Sequence, residues 1–239
     1  LRSPSCREHL VKPESHLFYQ TRSRRPVLAE ARGVYMWDVD GKRYLDGSSG
    51  AMVSNIGHSN PRVLDAMRRQ MEKSTFGYRL HFETEPSELL AAKVASLSPA
   101  GMEKVFFVSG GSEAVESAIK LARQYAVTVG QGSRWKVISR DPSYHGSTLG
   151  ALALTGYAPL SDPFLPMMQA MPKIPAPRAY LDGLDINDPA TGAHYAAMLE
   201  AKIIQEGPDT VLAFILEPIG GASTGALVPP AGYMQGACC

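Results

Sequence analysis

Residues 105–123 read Val105-Phe106-Phe107-Val108-Ser109-Gly110-Gly111-Ser112-Glu113-Ala114-Val115-Glu116-Ser117-Ala118-Ile119-Lys120-Leu121-Ala122-Arg123: an apolar run, a glycine pair and a helical repeat in succession. Val105 to Val108 is short and wholly β-branched or aromatic, which suits a buried strand. Beyond the glycines, Val115, Ala118, Ile119, Ala122 and Ala126 recur at helical spacing and share one face. Strand, tight turn and helix in this order predict an α/β fold.

The pattern repeats downstream. Lys136-Val137-Ile138-Ser139 and Val211 to Leu216 read as further strands, with a helix over about 193–205 before the second. Such alternation predicts a mostly parallel sheet with helices on both faces. Between them Pro159, Pro163, Pro166, Pro172, Pro175 and Pro177 interrupt any regular element, so this stretch is expected to be an ordered surface excursion. Upstream, Asp40-Gly41 sits between two alternating segments within residues 34–46, the signature of a tight β-hairpin. Ser59-Asn60-Pro61 supplies a cap and a first-turn proline for a helix whose Val63, Leu64, Met67 and Met71 share one face. A second helix is expected over 86–97, with Leu89, Leu90, Val94 and Leu97 inward. A small N-terminal β-ribbon and helix segment thus precedes the sheet.

Bulk properties narrow the function. With 24 Lys plus Arg against 23 Asp plus Glu, the net charge of +1 offers no global field for nucleic acid or an acidic membrane. No run approaches the roughly 18 apolar residues of a membrane span. The opening fifteen residues carry Arg2, Arg7 and Lys12, but Glu8, Glu14, Pro4 and Pro13 break a basic amphipathic leader. The expected location is the cytoplasm. Cys6, Cys238 and Cys239 lie at the ends, which argues against a disulfide framework, and no CxxC pair with histidines suggests a metal site.

Three constellations can carry chemistry. Ser109-Gly110-Gly111-Ser112 stands where a strand turns into a helix; open amides and the helix dipole make such a junction an anion site, although two glycines can also make only a turn. It lacks the Gly-Lys-Ser/Thr ending of a P-loop and the Gly-x-Gly-x-x-Gly of a dinucleotide site. Ser143-Tyr144-His145-Gly146-Ser147 follows a strand, so Tyr144 can lay its ring on a flat ligand or simply pack, and His145 can be a structural histidine. Glu217-Pro218-Ile219-Gly220-Gly221 ends another strand, where a carboxylate needs a partner; Glu217 can serve a ligand or anchor a loop.

Together with Trp37-Asp38-Val39-Asp40-Gly41-Lys42-Arg43-Tyr44-Leu45-Asp46-Gly47, Gly57-His58 and Pro229-Pro230-Ala231-Gly232-Tyr233, these blocks resemble class III pyridoxal-phosphate aminotransferases over about residues 15–235. The resemblance implies an incomplete fold type I large domain: residues 1–60 belong to the small domain, and 61–239 form a partial cofactor domain. It implies pyridoxal 5′-phosphate as cofactor, with Gly110, Gly111 and Ser112 on its phosphate and Tyr144 stacked on its ring. His145 and Gly146 support that ring, Glu217 arranges the substrate side, and Tyr19 and Met52 line an amine pocket. The partners implied are an amine or amino acid donor, a keto acid acceptor such as pyruvate, and a second subunit approached through residues 76–81 of a homodimer.

The family's pyridine-nitrogen aspartate and Schiff-base lysine lie beyond Pro229–Tyr233, and no lysine here occupies a matching motif. The expectation is therefore a chain cut before its catalytic lysine, with Gly236-Ala237-Cys238-Cys239 an unpromising helix start. A non-catalytic fragment, or a decarboxylase, aminomutase or phospho-lyase of the same family, is the alternative to transamination.

Overall fold

A computed structural model describes residues 15–19 and 24–238, so the leader question falls mostly outside the described residues. The chain divides after Glu103 into two compact units.

In the first unit, β1 (Leu28–Arg32), β2 (Tyr35–Asp38) and β3 (Arg43–Leu45) form an antiparallel meander in that order. The predicted hairpin is β2–β3. Its turn closes on the buried Asp38 carboxylate, which accepts hydrogen bonds from the Tyr44 hydroxyl at 2.8 Å and from the Lys42 and Asp40 amides. The Tyr44 bond holds the Asp38 carboxyl below its ordinary pKa. Gly41, at φ 83°, takes the left-handed position that the turn needs. After a kinked turn, α1 (Ser49–Met52), come α2 (Pro61–Lys73) and α3 (Glu85–Leu97). Asn60 caps α2 by accepting from the Arg62 amide, as its position before Pro61 predicts. The expected burial of Leu89, Leu90, Val94 and Leu97 is not found: α3 buries no residue, and neither does α2. An amphipathic face is covered only where a second layer exists, and the described residues lay none over these helices.

The second unit is built on a parallel sheet of order β5-β4-β6, from β4 (Lys136–Asp141), β5 (Lys173–Pro175) and β6 (Val211–Phe214). Successive β4 residues point to opposite faces, and both Val137 and Ile138 are buried, so both faces are covered. Ile138, Ile174 and Val211 pack against Leu199 of α7 (Pro189–Glu206), while α5 (Leu149–Leu154), with Ala151 to Leu154 buried, lies along β4. The long α4 (Gly111–Thr128) begins at the glycine pair, as predicted, and packs against α5 and β6.

Three expectations are corrected here. The run 105–108 is not a strand and joins neither sheet; a strand exists only through pairing, and none of β4, β5 and β6 takes it as a neighbour. The proline-rich stretch is not irregular throughout: after α6 (Ala158–Ser161) and a 3₁₀ turn (Asp162–Met167) it contributes β5. Pro175 is tolerated because β5 is an edge strand, which needs no outward amide donor. The chain from Tyr233 does form a helix, α8 (Tyr233–Cys238), because Tyr233 is fully buried with Ala179 and Tyr195 and Ala237 packs into the adjoining cluster.

Gly192 makes this packing possible. A Cβ there would stand 2.0 Å from the Ala231 carbonyl oxygen and 2.5 Å from the Tyr233 nitrogen. Gly192→Ala is expected to lower stability by about 1–3 kcal/mol in urea unfolding. Gly132→Ala, where a Cβ meets nothing within 4 Å, should leave the midpoint essentially unchanged.

Candidate active site

Helix α4 starts without a side-chain cap, because its N-cap is Gly110. Its first internal hydrogen bond is donated by Ala114 to the Gly110 carbonyl, so the amides of Gly111, Ser112 and Glu113 precede the helical ladder and face the positive end of the dipole. Glu113 reaches back to accept from the Ser109 amide at 2.7 Å, which fixes the turn leading into the helix.

The Tyr144–Ser147 loop lies directly against this turn. The Ser147 amide donates to Ser112 Oγ at 3.0 Å, which leaves the Ser112 hydroxyl hydrogen for another acceptor. Gly146, at φ 133°, passes so close that a Cβ on it would stand 2.6 Å from Ser112 Oγ and 3.0 Å from Ser112 Cα. The loop is held from below by Thr155, whose Oγ1 accepts from the His145 amide at 2.9 Å and donates to the Gly146 carbonyl at 3.0 Å. Ser143 is fixed in turn: its hydroxyl donates to the Arg140 carbonyl and accepts from the Gly156 amide.

Glu217, just past the end of β6, joins the same cluster. Its Oε2 accepts from the Tyr144 amide at 3.1 Å and its Oε1 from the Gly221 amide at 3.2 Å. The buried Arg140 guanidinium donates to the Glu217 carbonyl at 2.6 Å and lies over the Tyr233 ring, with 6.0 Å to its centroid. Glu217 is therefore a loop anchor in this geometry, holding the backbone under the Tyr144 ring. Tyr144 is 43% exposed, whereas His145 beside it is buried and its Nε2 has no hydrogen-bond partner among the described residues. Burial lowers the His145 pKa from its ordinary value, against the opposing pull of Glu217.

The structure thus brings together Gly110, Gly111, Ser112, Tyr144, His145, Gly146 and Glu217. Tyr19 and Met52 belong to the first unit. Tyr19 donates its hydroxyl to Ser15, and Met52, at φ 63°, closes a loop stabilised by Asp46. The Asp46 carboxylate contacts His58 Nε2 at 2.7 Å and accepts from the Ser49 amide; the His58 bond lowers its pKa. The single-residue signals missed Arg140 and Thr155. Only the polar positions in the β4 strand pattern pointed to Arg140, while Thr155 had no local mark.

The chain matches a known family model, Aminotransferase class-III, over residues 19–238. The chain belongs to the class III aminotransferases. Among its relatives, the putrescine–pyruvate aminotransferase of Pseudomonas aeruginosa is 35% identical over 229 residues, which cover 95% of this chain and 50% of that protein. An (S)-enantioselective omega-transaminase from Thermomicrobium roseum superposes with a TM-score of 0.86 at 38% identity, covering 94% of this chain and 51% of that one. The omega transaminase of Pseudomonas jessenii, solved in complex with PMP, gives 0.86 at 31% identity over the same shares. The chain therefore spans about half the length of these class III relatives.

Its own residues fit a phosphate-bearing aromatic cofactor. Uncapped amides lie at the start of α4 beside a Ser112 hydroxyl that still has its hydrogen to donate, Tyr144 is exposed, and the buried His145 Nε2 has no partner among the described residues.

A buried imidazole with a lowered pKa opposes folding once the unfolded chain takes up its proton, so stability falls as pH drops below 6.5 and until the folded value is passed. His145→Gln should remove that component. Urea midpoints of wild type and variant are expected to converge as pH falls through this window; a constant difference would show that His145 does not titrate differently on folding.

Proposed function

We propose that this chain supplies the phosphate cradle and ring platform of a pyridoxal-phosphate-dependent transaminase, which moves an amino group from an amine or ω-amino acid to a keto acid such as pyruvate. The observation that carries the proposal is the Ser147 amide on Ser112 Oγ, which joins the helix-start turn directly to the aromatic loop.

When bound, pyridoxal phosphate supplies the electron sink for the charge left at the substrate carbon. The chain's part is to bind and orient it. The Gly111, Ser112 and Glu113 amides and the Ser112 hydroxyl would hold the phosphate at the helix N-terminus. Tyr144 would cover one face of the ring, its height set by the Glu217 carboxylate on its own amide. Gly146 keeps the loop close enough for both contacts, since any side chain there would push Ser112 aside. Burial lowers the His145 pKa and so favours the neutral imidazole, which would offer Nε2 as a hydrogen-bonding atom in support of the loop.

Tyr19 and Met52 are proposed to line the amine side, where the unbranched, aliphatic Met52 offers an adaptable apolar wall. Amine-to-pyruvate transfer is supported by the names of relatives that use putrescine, or hypotaurine and taurine, with pyruvate. A cytoplasmic homodimer completes the proposal, without a nucleic-acid or membrane partner; no helix of the described residues is long and apolar enough to cross a membrane.

The test uses the protein at the length of its relatives, loaded with pyridoxal phosphate and given an amine donor with pyruvate. Alanine should accumulate, and the cofactor absorbance should shift when donor is added alone. Bound cofactor with neither change would sink the assignment.

A further inference from the structure

Glu116 lies four residues beyond Ser112 on α4, so the two side chains share one face of that helix. Glu116 Oε1 accepts from the Thr148 hydroxyl at 2.8 Å and from the Ala151 amide at 3.2 Å. Thr148 is the N-cap residue of α5 but makes no side-chain cap of its own, so the acceptor for this helix start comes from α4 instead. The carboxylate rests on Gly150, where a Cβ would stand 2.6 Å from both oxygens. Substitution there would evict the carboxylate.

The loop that carries Tyr144 is consequently pinned to α4 at two heights, by Ser112 at the first turn and by Glu116 at the second. One contact would act as a hinge. Two contacts on one helix face set an angle and a distance, and Glu217 fixes the far end through the Tyr144 amide.

We propose that Glu116 is a positioning residue that sets the separation between the phosphate turn and the Tyr144 ring, and so makes the cradle selective for a ligand carrying both a phosphate and a flat aromatic ring. This rests on the cofactor role proposed above. Inorganic phosphate needs only the amides of α4, which belong to the helix itself; a pyridine phosphate needs the turn and the ring at the correct spacing.

The test titrates the chain with inorganic phosphate and, separately, with pyridoxine 5′-phosphate, which lacks the aldehyde that would label surface lysines. Glu116→Ala and Gly150→Ala should each weaken pyridoxine phosphate by about tenfold, the scale of one charge-assisted hydrogen bond, with phosphate affinity unchanged. Glu116→Gln keeps an acceptor at Oε1 and should stay within about twofold of wild type. Gly150→Ala guards against a folding artefact, because alanine favours the helical state that α5 adopts. Equal weakening of both ligands would reduce Glu116 to general structural support and overturn the proposal; so would unchanged binding of pyridoxine phosphate in both variants. A wild-type chain that binds pyridoxine phosphate no better than inorganic phosphate would end the cofactor assignment itself. Loss confined to the variants' selectivity test leaves that assignment standing.

Discussion

The approach of Gly146 to Ser112 is the constraint on which the site depends. A bare Cα on one loop sits where any side chain would strike the first turn of α4, and the Ser147 amide completes the contact on Ser112 Oγ. Everything else positions one of these two partners. The sheet sets β4, whose end launches the Tyr144 loop, and β6, whose end delivers Glu217 to the Tyr144 amide. The buried side chains of Thr155, Ser143 and Arg140 direct their hydrogen bonds to backbone groups: Thr155 to the His145 amide and Gly146 carbonyl, Ser143 to the Arg140 carbonyl and Arg140 to the Glu217 carbonyl. Such a network costs stability when half-made, since each orphaned buried group loses its water without replacement. It therefore favours a single loop geometry.

The same economy explains why Glu217 and His145 have double characters. Glu217 is a loop anchor by its contacts, yet it stands at the carboxyl end of a parallel strand, where open α/β sheets bind ligands. His145 is buried like a packing residue, yet one ring nitrogen has no partner among the described residues. The bland and functional alternatives for these residues are not exclusive: the side chain that holds the loop also shapes the surface above it.

Local pattern made much of this legible. The start of α4 at Gly111, the Asp40-Gly41 hairpin, the capped start at Asn60-Pro61 and the strands β4 and β6 all follow from turn chemistry and periodicity, which act over a few residues. Where pairing decides, pattern failed. Val105 to Val108 has strand composition without a strand neighbour, whereas β5 hides among prolines because an edge strand tolerates them. Gly236 argued against a helix, but burial of Tyr233 overrode propensity in α8. In the site, the glycine turn, Tyr144 and Glu217 could be singled out by position. The partners that fix them could not, because Thr155 meets His145 across ten residues and Arg140 meets Glu217 across 77.

The central claim is that the turn at 110–112 and the loop at 144–147 act as one cradle for a single ligand. A crystal structure of the protein with pyridoxal phosphate tests it most directly. The account predicts phosphate oxygens on the Gly111 to Glu113 amides and Ser112 Oγ, with the pyridine ring lying flat on Tyr144. Phosphate bound elsewhere, or a ring turned away from Tyr144 while the phosphate sits on the turn, would contradict it.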